Sequence, residues 1–180
     1  LLSHVTRLRQ GASEGAPSET IAAIAQETQY IASLLANLEA VARLESDAAL
    51  QERHPVDLTA LVDRVAARHR SVASSSSVDF NHSAPQAAAW VTGDVTLIEQ
   101  AVNNLVHNAI QYNHPGGHVA LVLEADATTF ALRVSDDGPG VPGPDLARLG
   151  ESRFRSEEAR SRRPNGMGLG LSIARDVAKR

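Results

Sequence analysis

The chain has 180 residues, 43% of them hydrophobic, a formal net charge of −4 and no cysteine. That length suits one complete domain with a helical piece attached better than two full domains, and the missing cysteine excludes disulfides, thiolate catalysis and Cys-ligated zinc. The mild acidity gives no electrostatic case for nucleic acid, and no apolar run approaches the roughly 18 residues of a membrane span.

Residues 1–10 read as the end of a helix, broken by the run Gly11 to Gly15 and by Pro17. Leu1–Gln10 already carries His4, Arg7 and Arg9, so no signal peptide is expected. Ser18 is the expected N-cap of the next helix. Ile21, Ile24, Thr28, Ile31, Leu35, Leu38 and Ala42 then recur in alternating steps of three and four. This repeat predicts one apolar seam along a helix of nearly thirty residues, suited to bundle packing between two copies. The other reading is a long amphipathic core helix inside one domain.

His54-Pro55 is expected to end that region, because the residue before proline disfavours helix. Asp57 is the expected cap of a helix that buries Leu58, Leu61, Val62, Val65 and Ala66. After the short polar loop Ser74 to Ser77, Val78–His82 and Ala88–Val91 read as strands, and Asp94 or Thr96 caps a helix to about Tyr112. Pro115-Gly116-Gly117 makes a turn before the strands Val119–Glu124 and Phe130–Ser135. Asp137–Pro144 and Ser152–Gly166 read as loops, and a last helix starts near Gly168 and is still running at Arg180. The expected fold is α+β, a two-layer sandwich of a mixed, largely antiparallel sheet covered by helices on one face, preceded by a helical hairpin stem. Residues 1–53 form the expected stem. Residues 54–180 form the second domain, expected to stop short of its last strand, in a chain that reads as a fragment of a longer protein.

Three constellations carry chemistry. In the helix Leu97–Tyr112 the expected buried stripe is Leu97, Ile98, Ala101, Val102, Leu105, Val106 and Ala109, and Asn104 and Asn108 share another face with Gln100 and Gln111 beside them. Asparagine is a poor helix-interior residue, and its carbonyl oxygen is a hard ligand suited to Mg²⁺; two surface amides are the plain alternative. Asp136-Asp137-Gly138-Pro139-Gly140 follows a strand, where a carboxylate can accept from an exocyclic amine and glycines admit a flat ligand; an ordinary Asp-Gly turn has the same composition. Gly166-Met167-Gly168-Leu169-Gly170-Leu171 opens a helix whose free N–H groups and dipole favour an anion. Its spacing matches neither the dinucleotide fingerprint nor a P-loop, and a flexible glycine-rich hinge is the plain alternative.

In this order the three strongly resemble the nucleotide-binding domain shared by histidine kinases, gyrase, the Hsp90 chaperones and MutL, the GHKL superfamily with its Bergerat fold. The kinase branch is most similar. Glu99 to Tyr112 looks like its N box, Val134 to Pro142 its first glycine box, and Gly166–Leu171 with the following Ser-Ile-Ala-Arg its second. Val91 to Asp94 resembles the segment before the N box, and Ala42-Arg-Leu-Glu45 the end of the dimerisation helix.

The resemblance implies an ATP-binding set of Asn104, Asn108, Gln111, Tyr112, Asp136, Gly138, Gly140, Arg155, Arg160, Gly166, Gly168, Leu169 and Gly170. Asn108 would ligate Mg²⁺, with Asn104 near the metal and the phosphates. Asp136 would take the adenine amino group, Tyr112 would pack on the adenine ring, and the second glycine box would let a lid over residues 143–166 reach the phosphates. Hydrolytic members carry Glu where Asn104 stands, so the implied activity is protein-histidine kinase rather than ATPase. The γ-phosphoryl group would pass to a His and then to an Asp of a response-regulator receiver. Beyond positioning, no catalytic group is expected in the nucleotide pocket itself. A homodimer through the stem and a cytoplasmic setting, with the parent protein anchored in the inner membrane, complete the expectation.

Three departures from the family pattern stand out. Gln111 replaces the usual Lys, so an arginine is expected to take the phosphate contact, from Arg155, Arg160, Arg162 and Arg163. Gly150 stands where the family's Phe box has an apolar aromatic, which points to a looser lid or a changed contact with the helical domain. His4 lacks the acidic neighbour and later proline of a phosphoacceptor and precedes Gly11 by about two turns; an acceptor upstream of Leu1 is favoured over it. A degenerate kinase serving as an ATP-sensing or docking scaffold is the main rival. A Ser-directed kinase of the anti-sigma type is opposed by the Ile21–Ala42 seam, and a GHKL ATPase by Asn104.

Overall fold

The computed structural model describes residues 16–46, 53–126, 128–151, 154, 155, 157, 160 and 167–180. Its contacts divide the chain into two units, one ending at Glu39 and one running from Ala40 to Arg180.

The division falls within helix α1, Ala16–Glu45. α1 starts at Ala16 with Pro17 in its first turn, so Ser18 lies inside the helix and does not cap it. A proline is tolerated there because its missing N–H is one that a helix start leaves unpaired anyway. In the first unit Ile21, Ile24, Ile31, Leu35 and Leu38 are all exposed, so the predicted seam lies open along this helix.

After the last turns of α1, the second unit continues with strand β1, His54–Asp57, where the sequence predicts only a break. It pairs antiparallel with β3, Trp90–Gly93, in a two-stranded sheet, with Pro55 opposite Thr92. Both strands are edges, where a proline costs no interior ladder bond. Asp57 caps α2, Leu58–Ser75, as expected, accepting from Thr59 N at 2.9 Å and Ala60 N at 3.3 Å. A three-stranded sheet has the order β2 (Asp79–Ser83), β4 (His118–Ala125), β5 (Phe130–Asp136). β4 and β5 form the predicted antiparallel hairpin, while β2 runs parallel to β4. A parallel pair needs a crossover, and here it contains β3 and α3, Val95–Tyr112.

β4 alternates buried and partly exposed residues, turning Val119, Leu121 and Leu123 inward. Against that face pack Leu61, Val62 and Val65 of α2 and Val102, Val106 and Ile110 of α3, with Leu132 and Val134 of β5 at the margin. Burial of such apolar area dominates the stability of the unit. Ile110, absent from the expected stripe, is fully buried, whereas Leu105 and Ile98 are only partly covered. The architecture is therefore the expected α+β layering of helices on a mixed sheet. A four-residue helix, α4 at Gly143–Leu146, extends beyond the loop read as ending at Pro144, and α5 spans Gly170–Ala178.

Candidate functional site

Asp94 starts α3 at a fixed point. Its Oδ1 accepts from Thr96 N at 2.8 Å and Leu97 N at 3.2 Å, satisfying donors that a helix start otherwise leaves free. Its other oxygen lies 3.4 Å from Arg43 in the last turn of α1, which belongs to the same unit. Beside this pair Ala40, Leu97 and Ile173 are buried together, with Val41, Leu44, Leu169 and Val177 packed around them. This second, smaller core presses α5 against the N-terminal half of α3.

Asn104 is only 8% exposed, so it does not face solvent. Gln100 Nε2 approaches its Oδ1 at 3.4 Å, and a Cβ at Gly170 would come within 3.3 Å of its Cγ. Asn108, one turn further on, is half-buried, as are Gln111 and Tyr112. Gly168 holds a left-handed φ of +66°, which an L side chain rarely adopts. That turn delivers Leu169 as the N-cap residue of α5, where its carbonyl accepts from Ile173 N at 3.0 Å and Ser172 Oγ at 2.9 Å.

The other glycine motif meets the far end of the same helix. Asn113 is the C-cap of α3, in extended conformation, and its Cα would lie 3.6 Å from a Cβ at Gly138. Asp136 closes β5 exposed to solvent, and its Oδ1 accepts from Gly138 N at 3.0 Å. Its Oδ2 has no hydrogen bond among the described residues. Gly140, also at left-handed φ, turns the chain away. Asn113 lies nine positions beyond Asn104, about 13 Å along a helix axis. A cleft of about 370 Å³ lies at this end, lined by Tyr112, Asn113, His114, Pro115, Asp137, Gly138 and Pro139. Tyr112 and Gly138 are its members from the predicted set; Asp136 directly precedes its wall, and Asn104, Asn108 and Gly168 lie outside it.

Of the arginines offered for the phosphate contact, Arg155 is half-buried and Arg160 exposed. His4, Arg162, Arg163 and Gly166 lie outside the described residues, as does the C-terminal end of the predicted lid from residue 161. Gly150 is buried with φ +86°, and a Cβ there would lie 3.3 Å from Arg175 Cδ, so the backbone packs directly on α5 where the family has an aromatic. Arg148 stacks over Phe154, 4.2 Å from the ring centre.

Sequence reasoning missed two buried polar groups. Asn103, 8% exposed, meets His69 of α2, 7% exposed, through an Oδ1–Nε2 contact of 3.1 Å. Burial pushes the His69 pKa down, the Asn103 contact acting against it, and Nδ1 has no partner among the described residues. The only hint was the Asn-Asn doublet at 103–104, and helical spacing drew attention to Asn104 alone. Among the described residues no group of three or more His, Cys, Asp or Glu is placed to hold a metal.

The family model described as histidine kinase-, DNA gyrase B- and HSP90-like ATPase matches residues 93–180, which span α3, both glycine motifs and α5. The sensor-like histidine kinase SenX3 of Mycobacterium tuberculosis is 33% identical over 165 residues, covering 89% of this chain and 40% of its own length. Among solved structures, the mycobacterial sensor histidine kinase MprB is 35% identical with a TM-score of 0.61, over 70% of this chain and 80% of that one. The ATP binding domain of PrrB from Mycobacterium tuberculosis is 25% identical with a TM-score of 0.52, covering 71% of this chain and 80% of its own. The chain thus spans about 40% of the length of the first curated relatives it matches. With both glycine motifs set against one asparagine-bearing helix, the chain belongs to the histidine kinase-, DNA gyrase B- and HSP90-like ATPase family, among the sensor histidine kinases.

Proposed function

We propose that this chain is the ATP-binding catalytic region of a two-component sensor kinase, with residues 1–53 contributing part of the dimerisation and phosphoacceptor stem and residues 54–180 the nucleotide site. One relationship carries the reading: α3 meets the second glycine motif at Asn104 and the first at Asn113, so the two motifs face one helix about 13 Å apart along its axis. A nucleoside triphosphate laid along α3 has its base at the Tyr112 end and its phosphates toward Gly168, Leu169 and Gly170. Asp136 accepts from the adenine amino group through its unengaged oxygen, and guanine, which offers a carbonyl there, is rejected. Tyr112 packs on the base. Gly138 and Gly140 keep side chains out of its way.

Asn108 offers a single amide oxygen, half-buried on α3. That fits Mg²⁺, which takes few protein ligands and completes its shell with phosphate oxygens and water. Bound there, the ion would neutralise charge on the phosphates. Gln111 cannot supply a positive charge, so Arg155 or Arg160 is assigned to the phosphates, with Gly166 among the lid residues. The reaction breaks the bond between the γ-phosphorus and its bridging oxygen, releases ADP and forms a P–N bond on a histidine. Onward transfer goes to an Asp of a response-regulator receiver. The acceptor is a histidine upstream of Leu1 in preference to His4, in a homodimer whose catalytic part is cytoplasmic; no helix among the described residues is long and apolar enough to cross a membrane.

The test is incubation of the full-length parent with radiolabelled ATP, followed by acid and base treatment. Label that is acid-labile and base-stable is expected, and Asn108→Ala abolishes it. Label persisting in Asn108→Ala refutes its metal role. Saturable ATP binding without any label favours the ATP-sensing scaffold.

A further inference from the structure

The residue after Tyr112 and the residue after Asp136 are joined to each other. Asn113 Nδ2 donates to Asp137 Oδ1 at 3.1 Å and to the His118 carbonyl at 3.1 Å, while Asn113 Oδ1 accepts from His114 N at 2.8 Å. Asp137 Oδ1 also accepts from His118 N at 2.7 Å. Three segments thus close on one pair of side chains: the end of α3, the start of β4 and the loop after β5. These donors, led by the His118 N–H, hold the Asp137 carboxyl below the usual carboxylate range. The space is filled. A Cβ at Gly117 would lie 2.3 Å from Asn113 Oδ1 and 2.9 Å from Asp137 Oδ1, so a larger residue there would push the bracket's two side chains aside and glycine at 117 goes with it.

We infer that the Asn113–Asp137 bracket sets the placement of Asp136 relative to Tyr112, making Asn113 and Asp137 positioning residues for recognition of the adenine 6-amino group. The inference rests on the ATP-binding reading above and goes beyond it. Both residues flank ones that would touch the base, and both line the cleft at that end of α3. A misplaced Asp136 loses its bond to the 6-amino group, yet stacking and phosphate binding persist. The bracket should therefore govern selectivity for the base more than overall affinity.

Inosine triphosphate has a 6-oxo group in place of the amine and isolates that contact. In fluorescence titrations of the chain with ATP and with ITP, the wild type is expected to prefer ATP. Asn113→Ala should weaken ATP binding about tenfold, the value of one well-placed hydrogen bond to a charged group, and change ITP binding by less than about twofold. Asn113→Asp alone sets two carboxylates face to face and should lose the preference as well. The exchange Asn113→Asp with Asp137→Asn restores a donor–acceptor pair and should regain part of it, which also keeps the test decisive if Asn113→Ala fails to fold. An unchanged ATP-to-ITP ratio in Asn113→Ala, or no recovery in the exchange, overturns the inference alone. A wild type that binds neither nucleotide, or both equally, overturns the base-recognition reading with it.

Discussion

A methyl group at Gly170 would stand 3.3 Å from Cγ and 3.4 Å from Oδ1 of Asn104, so the helix after the second glycine motif rests directly on an amide of α3. Asn104 is buried by this approach, and the surfaces of the two helices interlock there. Gly170→Ala should push α5 outward by a few tenths of an ångström. We expect ATP affinity to fall about tenfold, near 1.4 kcal/mol, with unfolding shifted by only a few degrees. Isothermal titration and thermal denaturation check the pair of values, and undiminished ATP affinity would show that the contact has no part in binding.

Asp94 does two jobs with one carboxylate, capping α3 and facing Arg43, and its side chain is only 7% exposed. Asp94→Ala should destabilise the second unit by about 1–2 kcal/mol from the lost cap alone. Arg43→Ala should cost less, about 0.5–1 kcal/mol, because that side chain is a third exposed and partly screened. A double-mutant cycle in urea should show coupling between them. Strict additivity would mean that the 3.4 Å approach contributes nothing to stability.

His69 is buried with its pKa lowered first by desolvation and further by Arg68, against the Asn103 hydrogen bond. The unfolded chain then binds more protons than the folded one below the ordinary histidine range. Stability therefore rises with pH through that window and levels off above about 6.5. Protonating Nδ1 would leave a buried N–H with no partner among the described residues. His69→Leu should flatten the acid limb below about pH 6.5 while leaving Asn103 without its partner. An acid limb of the same slope in the variant would assign the effect to other groups.

Along the first unit Leu35 is 63% exposed and Ile21 66%, positions of an apolar seam with no cover among the described residues. If a second copy covers it, Leu35→Glu should raise the dimer dissociation constant by at least about tenfold. The ellipticity of the second unit should stay the same. Sedimentation velocity over a concentration series reads the outcome. A wild-type chain that stays monomeric at every concentration would sink the dimer.

The amino-acid order alone decided the local matters. Asp57 was legible as a helix cap because it stands just before an apolar-periodic run, the α3 cap was narrowed to Asp94 or Thr96, and the hairpin after Gly117 followed from alternation in two β-rich runs. The three glycine and asparagine motifs were legible as short-range patterns, which is why the family could be read from them. What stayed hidden depends on partners far apart in the chain. Pro55 reads as a break until Thr92 is seen opposite it in an edge pair, and β2 cannot be known as parallel to β4 before the crossover through α3 is closed. Asn103 and His69 are 34 residues apart, and only packing of α2 on α3 makes them partners. The same holds for Asn113 with Asp137 and for Gly170 with Asn104. Spacing along a chain encodes which residues share a face, whereas burial and pairing across elements are set by how those faces close on one another.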